Sequence, residues 1–256
     1  MGRGVHFVHG PASNWVILAE GDEVSLIDCG YPGDWLAVQE SLASIGYSPA
    51  DVGWLFITHA HADHIGSAER LRRDYGTKVL ACTAEAAHAR RLVLNQVTRE
   101  EVNVYAADPL VRTWMEHAIA LGGLEDVAVA AVTEIAEGLP GPGPLAPVPH
   151  VVPGHTPGHT VFEIRAAGAL VTGDALISGH PTSAQQGPQM LHPMFHTDLA
   201  RARQSLRSLA AIDAHVLLPG HGDPLFMSPA TAVRAVLDEV ISVPMPTNQP
   251  EGDEVR

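Results

Sequence analysis

Cysteine is scarce in this chain, whose 256 residues include only Cys29 and Cys82. The two residues are widely separated and form no Cys-x-x-Cys pair, which speaks against a disulfide framework. We interpret both as buried small side chains of a protein in a reducing compartment.

Basic residues are also few, and Lys78 is the only lysine. The formal net charge is −14 at pH 7, whereas a nucleic-acid surface normally needs a clustered basic face. No apolar run reaches the roughly 20 residues that a membrane-spanning helix needs, and the N-terminus lacks the long apolar segment of a signal peptide. We therefore expect a cytoplasmic protein that binds neither nucleic acid nor membrane. The sequence indicates no oligomeric state.

Hydrophobic residues make up 46% of the chain, which is enough for a sizeable core. We predict a single domain over residues 1–244 and a disordered, Pro-rich tail over residues 245–256. Residues 84–137 are rich in Ala, Glu and Arg and are predicted to form a mainly helical insertion, with helices near 84–94 and 109–121. This insertion either pads the core or acts as a lid that shapes the substrate pocket.

Strand and helix signals alternate along the rest of the chain. Apolar and β-branched runs predict strands over residues 5–9, 14–19, 24–28, 52–58, 78–82, 148–152, 161–164, 169–172 and 215–218. Helical spacing predicts helices over residues 35–45, 65–75 and 198–211 and a last helix that begins after Ser228. This mixture favours sheets stacked face to face with helices outside, rather than one parallel sheet.

One short segment carries most of the chemical information. Residues 58–64 read Thr-His-Ala-His-Ala-Asp-His and follow the apolar run at 52–57. Packing imidazoles and a carboxylate this closely costs free energy unless a cation pairs with them. A strand directs His59 and His61 to the same side, because its side-chain period is two, and a turn into a helix moves Asp63 and His64 towards a second position. The spacing suggests a pair of metal ions.

Three further segments repeat the pattern in which a strand ends and a turn presents a ligand. They are Pro153–Thr160, Thr172–Asp174 and Leu218–Asp223. In each segment a glycine beside the ligand lets the backbone turn sharply. Loops held at strand ends are also where binding residues concentrate.

Together, these four motifs resemble those of the metallo-β-lactamase superfamily over roughly residues 5–225. The resemblance implies an α+β fold, an αβ/βα sandwich of two packed mixed β-sheets flanked by helices, with the metals at one edge. It also implies two divalent metal ions, with zinc as the expected metal and iron or manganese as alternatives. The expected ligands are His59, His61 and His155 for the first ion, Asp63, His64 and His221 for the second, and Asp174 as a bridge between both.

The same resemblance implies an enzyme, a hydrolase in which a hydroxide that bridges the metals attacks a carbonyl carbon. Asp63 and His221 are assigned catalytic roles besides ligation, and Asp63 orients the nucleophile by a hydrogen bond. The sequence contains no Gly-x-Ser-x-Gly elbow, so that a serine nucleophile is not expected. The expected substrate is an ester, thioester or lactone of a small neutral or apolar molecule.

Four narrower functions remain open. Lactonases usually place a tyrosine soon after the bridging aspartate, and residues 175–178 hold none. Glyoxalase II-like thioesterases grip glutathione with basic and tyrosine residues that we do not identify here. Subclass B3-like β-lactamases share two of the motifs but are secreted. Mononuclear-iron persulfide dioxygenases share the Thr-Gly-Asp-Ala-Leu of residues 172–176, but His221 completes a second site here.

Other polar residues are secondary candidates. Asp28 is expected to brace the metal loops from behind, since a buried carboxylate must accept hydrogen bonds. His159 is expected to support the site by a hydrogen bond rather than by ligation. Solvated or locally bonded loop positions are predicted for His180, His192 and His196, with a Pro-rich loop that overhangs the site as the alternative. Surface positions are predicted for His6, His9, His88 and His117, and a turn position for Asp223.

Overall fold

A computed structural model describes residues 4–242. Ten strands, β1 to β10 in chain order, span Val5–His9, Asn14–Glu20, Glu23–Ile27, Val52–Phe56, Lys78–Ala81, Thr133–Glu134, Val148–Val151, Thr160–Ile164, Ala169–Gly173 and Val216–Pro219. Eight α-helices, α1 to α8, span Trp35–Ala43, Ala62–Ile65, Ala68–Tyr75, Thr83–Ala89, Arg99–Asn103, Pro109–Ala120, Leu199–Leu206 and Pro229–Ser242. The tail predicted over residues 245–256 lies outside the described residues.

The strands form two mixed sheets. The first has the order β1-β2-β3-β4-β5-β6, in which the first two pairs are antiparallel and the other three are parallel. The second has the order β10-β9-β8-β7, in which only β9 and β10 are parallel. The mixed character of both sheets confirms the predicted fold class.

The core between the sheets follows from the alternation of side chains along each strand. Val16 and Leu18 of β2 pack in one cluster with Phe162 and Ile164 of β8, so that this cluster joins the two sheets. Ile17 of the same strand points the other way and packs in the cluster formed with the helices on the outer face of the first sheet.

Helices cover both outer faces. Leu42 of α1 and Leu71 of α3 are fully buried in the cluster on the first sheet. Leu206 of α7 and Val233 of α8 pack against Leu217 of β10 on the second sheet. The result is the expected αβ/βα sandwich. Among the described residues, no helix combines the length and apolarity that crossing a membrane requires.

Several predicted helices differ in their limits. The helix expected over residues 84–94 ends at Ala89, and Arg91 just beyond it has a left-handed φ of 56° that stops the helix. The helix expected over 65–75 begins earlier and is divided into α2 and α3. Gly66 marks the break, where an added Cβ would lie 2.1 Å from the carbonyl carbon of Tyr31. The helix expected over 198–211 ends at Leu206 and continues as a 3-10 turn.

Candidate metal centre

Four loops at the ends of strands bring the candidate ligands together. The first follows β4 and carries His59 and His61, and the short helix α2 then carries Asp63 and His64. His155 lies in the turn between β7 and β8, Asp174 follows β9 and His221 follows β10. All seven side chains predicted as ligands therefore converge at one edge of the sandwich. Six of them are buried residues, and Asp63 is half-buried.

Three of the histidines form a tight group. His59 Nε2 and His61 Nδ1 are 3.1 Å apart, and His155 Nε2 lies 3.0 Å from the first and 3.1 Å from the second. Nitrogens bound at 2.0–2.1 Å to a tetrahedral zinc ion stand about 3.3 Å apart. This triangle of ring nitrogens therefore has the size that a divalent cation needs.

A second group surrounds Asp63. Its Oδ2 lies 3.3 Å from His221 Nε2 and 3.5 Å from His64 Nε2. Asp174 reaches both groups, because its Oδ1 lies 3.5 Å from His64 Nε2 while its Oδ2 lies 3.5 Å from His155 Nε2. Three overlapping groups of these side chains have donor atoms close enough to hold a metal ion. They are His59, His61 and His155; His59, His64 and Asp174; and Asp63, His64 and His221.

Hydrogen bonds on the far side of the rings turn the facing nitrogens towards the centre of the site. His64 Nδ1 donates to Asp28 Oδ2 at 2.9 Å, and His221 Nδ1 donates to the carbonyl oxygen of Ala12 at 3.1 Å. His61 Nε2 donates to the carbonyl oxygen of Asn95 at 2.7 Å. Such outer partners set the tautomer of a ligating histidine.

Two buried atoms at the centre of the site have no hydrogen-bond partner among the described residues. They are His64 Nε2 and Asp174 Oδ1, which face each other at the centre of the site. Buried polar atoms are rarely left unpaired. A bound cation would satisfy both, so that the residues present fit a metal ion.

The charges of the site also favour cations. Burial alone would raise the pKa of Asp63 and of Asp174, but His64 and His221 hold both well below the usual range, so both carboxylates are ionised. Burial lowers the pKa of His59 well below its usual value and that of His61 to about 4, so that these rings are neutral ligand donors. Although burial alone would lower the pKa of His64 and of His221, Asp63 and Asp174 raise the first well above its usual value and the second to about 9, so that a metal ion would displace a proton from each of these two rings.

Asp28 lies directly behind this group, as expected. Besides the His64 ring, it accepts hydrogen bonds from the Thr58 backbone N–H at 2.8 Å and from the Thr58 hydroxyl at 2.7 Å. Because that hydroxyl donates to Asp28, it accepts from His59 Nδ1 at 3.0 Å. His159 supports the site through its Nε2, which accepts from the Asp174 backbone N–H at 3.0 Å.

The remaining histidines divide between cavity and surface. His180 is buried, and its Nδ1 accepts from the Thr182 backbone N–H at 3.2 Å, so that its proton lies on Nε2. The expectation of a local bond is correct for His180, but its ring also contacts that of His221 edge to face, with the ring centroids 4.9 Å apart. His192 caps a 3-10 turn, and His196 donates to Leu191.

One surface prediction is wrong. His88 is fully buried, and its Nδ1 donates to the buried carboxylate of Glu85 at 2.7 Å, which pairs the ring in the interior. His9 and His117 are exposed, and His6 is half-buried. The side chain of Asp223 is largely exposed next to the loop of His221.

The metal site opens into a cleft of about 680 Å³, a volume that includes space open to solvent. His61, Asp63, His155, Asp174 and His221 contribute to its wall. Most of the remaining wall is apolar and comes from the helical insertion and the loop after β9, including Val97, Val102, Trp114, Ile119, Leu191 and Phe195. Largely apolar clefts with a few polar groups commonly hold small molecules.

Two supporting residues were not identified from the sequence. Asn14 Nδ2 donates to the carbonyl oxygens of Pro219 and Gly222 at 2.9 and 2.8 Å, and thereby holds the loop of His221. Glu85 is buried between two of the metal loops. The available signal was weak in both cases, since each is a single polar residue in an otherwise apolar or helical segment.

Comparison with known proteins agrees with this architecture. The sequence matches the family model of the metallo-beta-lactamase superfamily over residues 10–221. A hydroxyacylglutathione hydrolase of Anaeromyxobacter dehalogenans (strain 2CP-C) is 30% identical over 187 residues, which are 72% of this chain and 55% of that relative. "Probable metallo-hydrolase YqjP" of Bacillus subtilis (strain 168) is 23% identical over 236 residues, 88% of this chain and 70% of that relative.

The fold itself recurs in solved structures. A metallo-beta-lactamase family protein from Thermus thermophilus superposes with a TM-score of 0.67 at 21% identity. The match covers 93% of this chain and 80% of that one. At this identity the likeness shows the fold alone.

Proposed function

The chain belongs to the metallo-beta-lactamase superfamily and is a metal-dependent hydrolase, and we propose that it holds two divalent cations and hydrolyses an ester, thioester or lactone. The observation that carries the proposal is the donor set. Seven ligating side chains exceed what one tetrahedral ion takes, and they divide into two groups that Asp174 joins. We assign His59, His61 and His155 to one ion and Asp63, His64 and His221 to the other.

Bound divalent cations supply a Lewis acid for the substrate carbonyl and bring the pKa of the attacking water to about 7. Asp63 is the more open of the two central carboxylates, with its side chain 16% exposed against 3% for Asp174. Its ionised oxygen faces the cavity and can accept a proton from the water and orient it. His221 Nε2 lies 3.3 Å from Asp63 Oδ2, so that one cation could bind both atoms.

His180 is placed to contact the substrate. Its proton lies on Nε2, and Nε2 has no hydrogen-bond partner within residues 4–242. The ring lies against His221 at the wall of the cavity. We assign it the role of a hydrogen-bond donor to the substrate's carbonyl or leaving-group oxygen.

The cavity supports a small, largely apolar substrate. Its wall combines aromatic and aliphatic side chains such as Trp114, Phe195 and Leu191 with few charged groups. The relative named as a hydroxyacylglutathione hydrolase supports the thioester within the proposed class. Because the insertion supplies much of this wall, we propose that residues 84–137 set substrate preference.

The metal content of protein purified without added metal tests the proposal. Close to two zinc ions per chain, or a mixture of zinc with iron or manganese that sums to two, is expected. A panel of lactones, thioesters, simple esters and β-lactams then identifies the substrate class. Close to one iron ion per chain, no second metal on titration, and oxygen consumption with a persulfide would contradict the proposal.

A further inference from the structure

Helix α4 carries a buried carboxylate, Glu85, that joins two of the metal loops. Its Oε1 accepts a hydrogen bond from the backbone N–H of Ala60, between His59 and His61, at 2.7 Å. Its Oε2 accepts from the hydroxyl of Thr156 at 2.7 Å. The side chain is only 1% exposed. One residue of the insertion therefore contacts the loops of all three histidines assigned to the first ion.

A second chain of hydrogen bonds runs from Glu85 to the ring of His61. His88 Nδ1 donates to Glu85 Oε1 at 2.7 Å, and His88 Nε2 accepts from the Asn95 backbone N–H at 3.3 Å. The Asn95 carbonyl oxygen accepts from His61 Nε2 at 2.7 Å. Because a backbone N–H can only donate, His88 carries its proton on Nδ1, which faces the carboxylate. The orientation of His61 is thereby tied to the position of Glu85.

Close packing fixes the start of α4 against the loop of His155. A Cβ added to Gly158 would lie 2.6 Å from the backbone nitrogen of Glu85. Cys82 Sγ, one residue before the helix, donates to the Gly158 carbonyl oxygen at 2.9 Å. The helix and the loop therefore cannot shift independently, and Glu85 has a defined distance to both loops.

The second ligand group has different supports. His64 donates to Asp28, and His221 donates to Ala12. Neither ring has a hydrogen bond to Glu85 or His88 in the described part of the chain. An uncompensated buried carboxylate would be strongly unfavourable, and here three donors from three different segments compensate it. The hydrogen bonds of Glu85 are therefore confined to the three-histidine half of the site.

We propose that Glu85 is a positioning residue that sets the spacing of His61 and His155 and thereby the metal affinity of the three-histidine site alone. The inference rests on the ligand assignment proposed above. It also gives the insertion a role beyond its contribution to the cavity wall, since α4 and Asn95 both belong to residues 84–137.

The test measures zinc affinity by competition with a chromophoric chelator, in two backgrounds. The Asp63→Ala variant keeps the three-histidine site intact, and the His61→Ala variant keeps the second ligand group intact. Glu85→Ala should weaken zinc binding about 10- to 100-fold in the first background, as the loss of an outer partner typically does. In the His61→Ala background, Glu85→Ala should change the zinc affinity by no more than about twofold. Equal weakening in both, or none in the first, would overturn the proposal.

Three further proteins separate positioning from general stability. Glu85→Gln keeps an acceptor for Ala60, and the Thr156 hydroxyl can accept from its amide, so that most of the affinity should return. Thr156→Val removes one contact without disturbing the helix, should weaken the same site, and serves if Glu85→Ala does not fold. Glu163→Gln removes a carboxylate that pairs with His150 on the second sheet and should leave zinc affinity unchanged.

The visible spectrum of the cobalt-loaded protein gives a second readout. Displaced ligands shift the band positions, whereas partial unfolding only lowers the amplitude. A Glu85→Ala spectrum with unshifted bands would contradict the positioning role. A wild-type chain that binds only one ion would refute the dinuclear proposal, yet the effect of Glu85→Ala on that ion would still decide this inference.

Discussion

Replacing Asp28 by asparagine should alter the tautomer of His64 and weaken metal binding. The carboxylate accepts from the Thr58 backbone N–H and hydroxyl through one oxygen each, and Oδ2 also accepts from His64 Nδ1. An asparagine amide has only one accepting oxygen. If that oxygen stays on the Thr58 N–H, the NH₂ group faces His64 Nδ1. The His64 proton must then move to Nε2, the atom that faces Asp63 and Asp174.

The magnitude follows from these contacts. Rotating the amide by half a turn restores the bond to His64 but places NH₂ against the Thr58 N–H, so that one buried group stays unpaired in either orientation, at a cost of about 1–3 kcal/mol. Asp28 has a left-handed φ of 63°, which asparagine tolerates, so that backbone strain adds little. We expect the zinc affinity of the site that contains His64 to fall about 10- to 100-fold. This corresponds to a loss of about 1.4–2.8 kcal/mol in binding free energy.

The assay is chelator competition on metal-free protein, with thermal unfolding measured in parallel. Asp213→Asn, at an exposed position, is the matched control and should bind as the wild type does. Asp28→Asn protein that is folded and binds both ions with wild-type affinity would refute the reasoning from the tautomer.

The other predictions concern the ligands, the packing of the site and the cavity. His61→Ala or Asp63→Ala should lose most activity and one metal ion while near-native circular dichroism persists, and full activity in either variant would reject the ligand assignment. Gly220→Ala would place a Cβ 2.2 Å from Asp174 Oδ1, so that unfolding free energy should fall by about 1–3 kcal/mol and activity with it, whereas unchanged values would show that the loop relaxes freely. Trp114→Ala should raise KM for apolar substrates, with kcat/KM reduced about 10-fold or more, while an equal effect on small polar substrates would argue against an apolar binding wall. Removing metal with a chelator should lower the melting temperature, and added zinc should restore it in proportion to ln(1 + [L]/Kd).

Local sequence predicted the elements of this fold well. The strands predicted over residues 14–19 and 24–28 are observed as β2 and β3, which pair antiparallel. Helix limits within the insertion were less predictable. Gly66 interrupts a helical run where the backbone of Tyr31 packs against it, and Arg91 ends another where its side chain donates to the carbonyl oxygen of Ala60 at 2.8 Å. Both neighbours are distant in sequence, so that no local pattern indicates the interruption.

The candidate ligands were also identified from the sequence, because each lies in a short motif beside a strand end. The residues that support these ligands by hydrogen bonds were not identified from the sequence, apart from Asp28 and His159. His88 resembled a surface residue of a polar helix, and only the folded chain shows that it is buried and pairs with a carboxylate one turn earlier. Asn14 and Asn95 support the site by hydrogen bonds to residues that are far from them in the sequence.

The sequence by itself determined which side chains can bind metal and that strand ends present them, since strand period and turn glycines are local properties. Only the tertiary structure decided which nitrogen of each ring faces the centre, because that depends on the partner of the other nitrogen. Asp28 performs this for His64, Asn95 for His61 and Ala12 for His221. These partners lie 36, 34 and 209 residues from the rings they orient, so that folding alone brings them together.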